Sequence, residues 1–399
     1  MEEKIKKTKK VKKNRFIRVF GWTFGILILL IFLLILFIRS PWGQNIIIQQ
    51  AVKYVSSKTN TKVEIEKLFI TFDGNVMLKG LFLEDEKGDT LIYSKSLEAD
   101  IPLMPLIRGN SFGIDNLNWE GLRANIIRKD SIEGYNFQFL IDAFASADTT
   151  QVAADTTASP MKINIGDVNF KDFDIVFNDA VLGIESQFKV GALDLYLKKT
   201  DLENMDFRAS KASISNSKIK FIQSPVPPQP SEESQLPYLE LNEIVFKNVF
   251  VDYQSYGDRI EANLAVGDLL LELQKADLAN NSIEVGDFKL KNSIINLKTE
   301  VEDNVVANTV EDVTEEVEAE LKRFEWPDFK VAVESIDLEG NSVGYFVGEN
   351  EVKRNVFNAN AISLQDLTLK ANDIFLKDKK AGLNLEQLTF EEGSGLNLN

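Results

Sequence analysis

From Val63 onward the chain repeats one spacing of apolar positions: apolar, any, apolar, any, any, apolar, any, apolar. In INIGDVNF it is Ile163-Ile165-Val168-Phe170, with a two-residue skip at Gly166-Asp167. The same spacing appears in Val63-Ile65-Leu68-Ile70, Phe112-Ile114-Leu117-Trp119, Phe188-Val190-Leu193-Leu195, Leu239-Leu241-Ile244-Phe246 and Leu264-Val266-Leu269-Leu271. It returns in Ile283-Val285-Phe288-Leu290, Val331-Val333-Ile336-Leu338, Ile362-Leu364-Leu367-Leu369 and Leu383-Leu385-Leu388-Phe390. Alternation with period two marks a strand with one apolar face. One extra residue would turn every later side chain to the other face unless a β-bulge absorbs it, and a bulge also bends the strand. The skip therefore predicts a bend in a sheet, and Gly166-Asp167 binds nothing.

Repetition of one-sided strands predicts a mainly β fold, a long, curved, quasi-repetitive antiparallel sheet over residues 61–399. Turn-like stretches such as FDGN, DEKGD and KDF are expected between strands. Three insertions of other composition, at 145–160, 223–237 and about 299–326, interrupt the pattern and are expected to be mobile. IPLMPLIRG, Ile101 to Gly109, predicts a break or short helix between strands.

Ahead of the repeats lies Val19 to Ile38, twenty positions without a charge, enough to cross a ~30 Å hydrocarbon layer at about 1.5 Å per residue. Val19, Trp22, Leu30 and Ile38 mark this anchor. The run ends in Arg39-Ser40-Pro41 with no small-residue cleavage site, which predicts an uncleaved signal anchor. Residues 1–18 hold nine Lys/Arg against two Glu, placing this tail in the cytoplasm and the body on the far side. Residues 40–58 predict an amphipathic helix with Ile47, Ile48, Ala51, Val52 and Val55 on one face, which either covers the end of the sheet or lies on the bilayer.

Composition removes most chemistry. Without a single Cys or His there are no thiol nucleophiles, imidazole bases or thiolate metal sites. A net charge of −16 does not suit nucleic acid. Acidic clusters around Glu84-Asp85-Glu86-Asp89 and Asp172-Asp174-Asp179 read as solvated turns, and no phosphate-loop motif occurs. No catalytic residue, metal site or cofactor is therefore expected.

The apolar face must be hidden or used, since little helix remains to cover it. Either the sheet closes and fills its own core, or it stays open as an apolar trough. The candidate lining is Ile163, Ile165, Val168, Phe170, Val190, Leu193, Leu195, Leu241, Ile244, Phe246, Val266, Leu269, Leu271, Val285, Phe288, Leu290, Ile336, Leu338, Leu367 and Leu369.

The anchor followed by SPWGQ, then VSSKTNTKVEIEKLFITFDGNVMLKGLFLED, then IPLMPLIRGNSFGIDNLNWEGLRANIIRKDS resembles the N-terminal region of TamB and AsmA-like envelope proteins. That resemblance implies an inner-membrane protein whose periplasmic body is a U-shaped β-groove carrying phospholipid acyl chains toward the outer membrane. It also implies an outer-membrane barrel partner of the TamA type, engaged by a C-terminal domain not recognisable before EEGSGLNLN, so that the chain reads as the front of a longer protein. The alternative role is a scaffold for outer-membrane protein assembly through strand-edge pairing.

Overall fold

The computed structural model describes residues 13–71, 74–102, 111–144, 162–201, 206–226, 238–277, 281–300, 329–395 and 397–398. The IPLMPLIRG segment beyond Pro102 and most of the three insertions lie outside these residues, as does the tail up to residue 12.

Helix α1, Lys13–Arg39, contains the expected anchor: Phe20–Arg39 has a mean hydropathy of 2.8 and none of it is buried against the protein. Helix α2, Pro41–Thr59, follows after one residue. Ser40 caps it by accepting the Gly43 amide at 2.9 Å, Pro41 occupies the first turn, and Asn60 ends it in a left-handed conformation. The elbow between the helices is so tight that a Cβ on Gly43 would stand 1.9 Å from the Phe37 carbonyl oxygen.

The rest of the described residues form mainly one open sheet of fifteen strands. Strands β1 (Val63–Ile70), β2 (Asn75–Glu84), β3 (Thr90–Asp100) and β4 (Ser111–Arg128) run antiparallel. A short helix α3, Gln138–Phe144, precedes β5 (Lys162–Asp179), β6 (Ile184–Asp201) and β7 (Asp206–Gln223). Next come β8 (Tyr238–Ser255), β9 (Ile260–Asp277), β10 (Ser282–Lys291) and β11 (Ile294–Thr299), the last two being one strand interrupted at Asn292-Ser293. The series ends with β12 (Lys330–Val347), β13 (Ala361–Lys377), β14 (Lys380–Glu392) and the two-residue β15 (Asn397–Leu398).

The purely antiparallel expectation needs correction at three junctions. β4 pairs with β5, β7 with β8, and β10 and β11 with β12, all in parallel. Each parallel junction coincides with one of the composition-shifted insertions. Parallel neighbours require a crossover back to the starting end, whereas antiparallel neighbours need only a hairpin, so the insertions are the connections of a three-strand unit. KDF, Lys171 to Phe173, is likewise not a turn but the interior of β5.

Two bend lines cross the sheet. Along one, Gly80, Gly121, Asp172, Asn216, Asn248, Asn292, Gly340 and Asp366 have positive φ in the middle of their strands. Pairing is interrupted at these points and, from β1 to β13, resumes in register: Ser111 faces Lys162 and Arg128 still faces Asp179 at the other end of the two 18-residue strands. Strands β6 and β9 meet the line at glycine. A Cβ on Gly191 would be 2.5 Å from the Asn216 carbonyl oxygen, and one on Gly267 would be 2.6 Å from that of Asn292. Buried Ser217 and Ser293 accept the Gly191 and Gly267 amides at 3.1 and 3.0 Å, restoring hydrogen bonds that the bulge displaces. The second line passes through Gly166, where a Cβ would meet the Asp115 carbonyl oxygen at 2.3 Å, and ends at Asp373. In β5 the two bends, at Gly166 and Asp172, fall at the two-residue skips between successive apolar pairs.

Candidate functional site

Strand register converts the sequence pattern into continuous rows. Leu68, Leu78, Leu97, Trp119, Phe170, Leu193, Ile214, Phe246, Leu269, Leu290, Leu338, Leu369 and Leu388 are each directly paired with the next, from β1 to β14. A second row, two residues away, begins at Ile70 and Val76 and runs through Val168, Leu195, Ile244, Leu271, Phe288 and Ile336 to Ala371 and Leu385. No polar residue interrupts either row.

The apolar face continues across the bend at Asp172. Phe170 and Phe173 stack at 4.7 Å, and Trp119 meets both edge-on at 6.0 and 5.6 Å, its indole N–H donating to Ser94. Residues three apart would oppose each other on a regular strand, so their contact measures the phase change that the bulge introduces. Val190, Val266 and Leu367 lie beyond this line, while Ile165, Leu241 and Val285 lie beyond the other. Ile163 has its backbone in β5, but its side chain is outside the described set.

Burial distinguishes a filled core from an open face. Of the candidates, Val168, Leu290 and Leu367 are buried, at 5%, 7% and 8% exposure. The others with described side chains are half-buried. Among the described residues no second sheet lies on this face, and the strand order does not close on itself.

Among the described residues only the first strands receive a helical cover. Val52 and Val55 of α2, with Phe139 and Leu140 around α3, pack against Val63, Leu83 and Leu91. The amphipathic face of α2 thus covers the end of the sheet, as one of the two sequence readings held. On the reverse face polar side chains pair across strands, with Lys211 to Glu243 at 2.7 Å, Lys291 to Glu339 at 2.5 Å and Arg123 to Asp172 at 3.0 Å.

Where β4 gives way to β5, buried Asp179 accepts from Arg128 at 2.5 Å, from the Tyr135 hydroxyl at 2.7 Å and from the amides of Val181 and Leu182 at 3.0 Å. Burial alone would raise this carboxyl, but the hydrogen bonds from Arg128, Tyr135 and Leu182 outweigh it and hold the pKa below the ordinary value. These partners fix the start of the crossover and leave the carboxylate no free base function. Among the described residues no group of acidic side chains is arranged to hold a metal ion.

Sequence reading found both rows in the strands where it recognised a repeat but missed Leu78, Leu97 and Ile214, in β2, β3 and β7. Serines and alanines thin the apolar signal there, as in KASISNSKIKF of β7. No protein-family model matches the chain, and no curated protein matches it. The likeness to TamB and AsmA-like proteins therefore rests on the sequence phrases alone.

Proposed function

We propose that the protein is an inner-membrane-anchored periplasmic bridge whose apolar β-face carries phospholipid acyl chains between the inner and outer membranes. The observation that carries this reading is the pair of unbroken apolar rows, mostly half-buried and, among the described residues, without a covering layer beyond the first strands, which begin at the strand next to the anchoring helices. Acyl chains lie across the rows while headgroups remain in water, and no covalent step is involved. At about 25 cal/mol per Å² of apolar surface removed from water, many equivalent contacts hold a chain without fixing its position, as sliding requires. An outer-membrane barrel of the TamA type receives the far end.

Photo-crosslinking in cells tests it with the full chain. A photoreactive residue replacing Leu195 or Leu271 should yield phospholipid adducts, and one replacing Lys198 or Glu272 on the reverse face should not. Equal yields from both faces, or none from Leu195 and Leu271, would reject the lipid reading.

A second reading draws on β14, whose outer edge pairs with β15 only at Phe390 and Glu391 while Leu383 and Leu385 are more than half exposed. A strand of an outer-membrane client would add there by edge pairing. Protein adducts from position 384, with no lipid adducts from the inner face, would favour it.

A further inference from the structure

We propose that the outer surface of the α2–α3 layer rests on the headgroup region of the bilayer, so that the layer which caps the sheet also seats it on the membrane. This rests on α1 crossing the bilayer and is independent of lipid transfer.

The first observation is that the layer is apolar on both sides. Helix α3 turns Phe139 inward, at 9% exposure, yet leaves Ile141 and Phe144 outward at 53% and 47%. On α2 the inward residues are Ile48, Val52 and Val55, while Trp42 and Tyr54 stand 69% and 56% exposed. Tyr54 and Phe144 touch, with ring centroids 6.2 Å apart, so the outward groups of the two helices form a shared surface. An element covering a sheet beside water has no reason to be apolar on its far side.

The second is position. Trp42 lies three residues beyond Arg39, the end of the spanning segment, and its ring packs edge-on against Phe37 of α1 at 5.3 Å. With the Gly43 elbow leaving no room for even a methyl group, α2 is held at the mouth of the span. Trp and Tyr favour the interface, where an apolar ring and a polar tip are both satisfied.

The third is charge. Asp and Glu outnumber Lys and Arg by 61 to 45 in the chain, yet α2 carries Lys53 and Lys58 and no carboxylate, and the one carboxylate of α3, Asp142, accepts from Gln138 at 3.0 Å. Exposed lysines beside outward aromatic residues match a phospholipid headgroup layer better than an acidic protein partner would.

The absence of cysteine makes the test direct. Single-cysteine variants Ile141→Cys, Trp42→Cys and, as a reverse-face control, Lys198→Cys are labelled with an environment-sensitive fluorophore. The full chain is then placed in phosphatidylethanolamine/phosphatidylglycerol nanodiscs containing headgroup-proximal spin-labelled lipid. Quenching of the probes at 141 and 42, but not at 198, is expected. An unquenched probe at 141 would overturn the proposal, either with water-like emission, meaning an exposed surface, or with blue-shifted emission, meaning protein cover. Phe144→Cys reads the same surface if Ile141→Cys does not accumulate.

Discussion

Strands β1–β4 and β5–β14 share the same rows and bend line, yet differ in what lies above them. At the first, α2 and α3 bury Val63, Leu83 and Leu91, with Leu91 at 1% exposure. At the second, Ile175, Phe188, Ile219 and Val251 continue the register of Val63 and Leu83 and stay half-buried. The comparison separates two tasks often assigned to one hydrophobic face. Backbone ladders and compensated bulges shape the sheet in both regions, and among the described residues burial beneath a second layer is added only beside the N-terminal helices.

The largest expected difference follows from that contrast. Leu91→Ala should cost roughly 2–5 kcal/mol, as for a fully buried leucine, whereas Leu271→Ala should cost about 1 kcal/mol or less because its surroundings are already partly open. Denaturant midpoints of the full chain in detergent would show this, and equal losses would mean that the second region is filled as tightly as the first.

Next is the junction between the regions. Asp179→Asn removes a buried charge from Arg128 and should cost about 3 kcal/mol. The sign of the pH effect follows from a folded pKa below the ordinary 3.8. The contribution is complete above that ordinary value and is lost as pH falls through the lower folded one. Acid titration of stability should therefore be flatter below about pH 4 in Asp179→Asn than in the native chain.

Bend geometry should matter somewhat less. Gly267→Ala brings a Cβ within 2.6 Å of the Asn292 carbonyl oxygen and should cost about 2 kcal/mol, while Gly257→Ala, with its nearest neighbour 3.9 Å away at Pro225, should be near neutral. Thermal unfolding of the two variants side by side tests whether the line is a structural requirement. Smallest of all, Lys211→Ala on the reverse face breaks an exposed pair with Glu243 and should change stability by less than about 0.5 kcal/mol.

What could be read from residue order follows the same division. Period two with a regular skip exposed the strands and the bend near Gly166, because side-chain direction is set by neighbours along the chain. The parallel junctions were not readable, since alternation looks alike whichever way the next strand runs. Asp172, within KDF, looked like a turn residue because a left-handed backbone is used in turns and in bulges alike. Helix α3 spans two turns, too few for helical periodicity to rise above its surroundings. The apolar rows were legible as a list of leucines, but their continuity emerged only when register placed Leu193, Ile214 and Phe246 side by side.

The three-strand unit has a consequence for reach. Its first and third strands run the same way, and the next unit opens with a parallel strand, so units join by repeating one operation. Excising residues 162–237 would leave the start of β8 where the start of β5 had been, beside β4. Length can thus change in steps of three strands, about 14 Å at the usual inter-strand spacing, without altering the cross-section. Duplication or loss of such units would lengthen or shorten the body while its ends stayed the same, much as a ladder is cut to height by whole rungs.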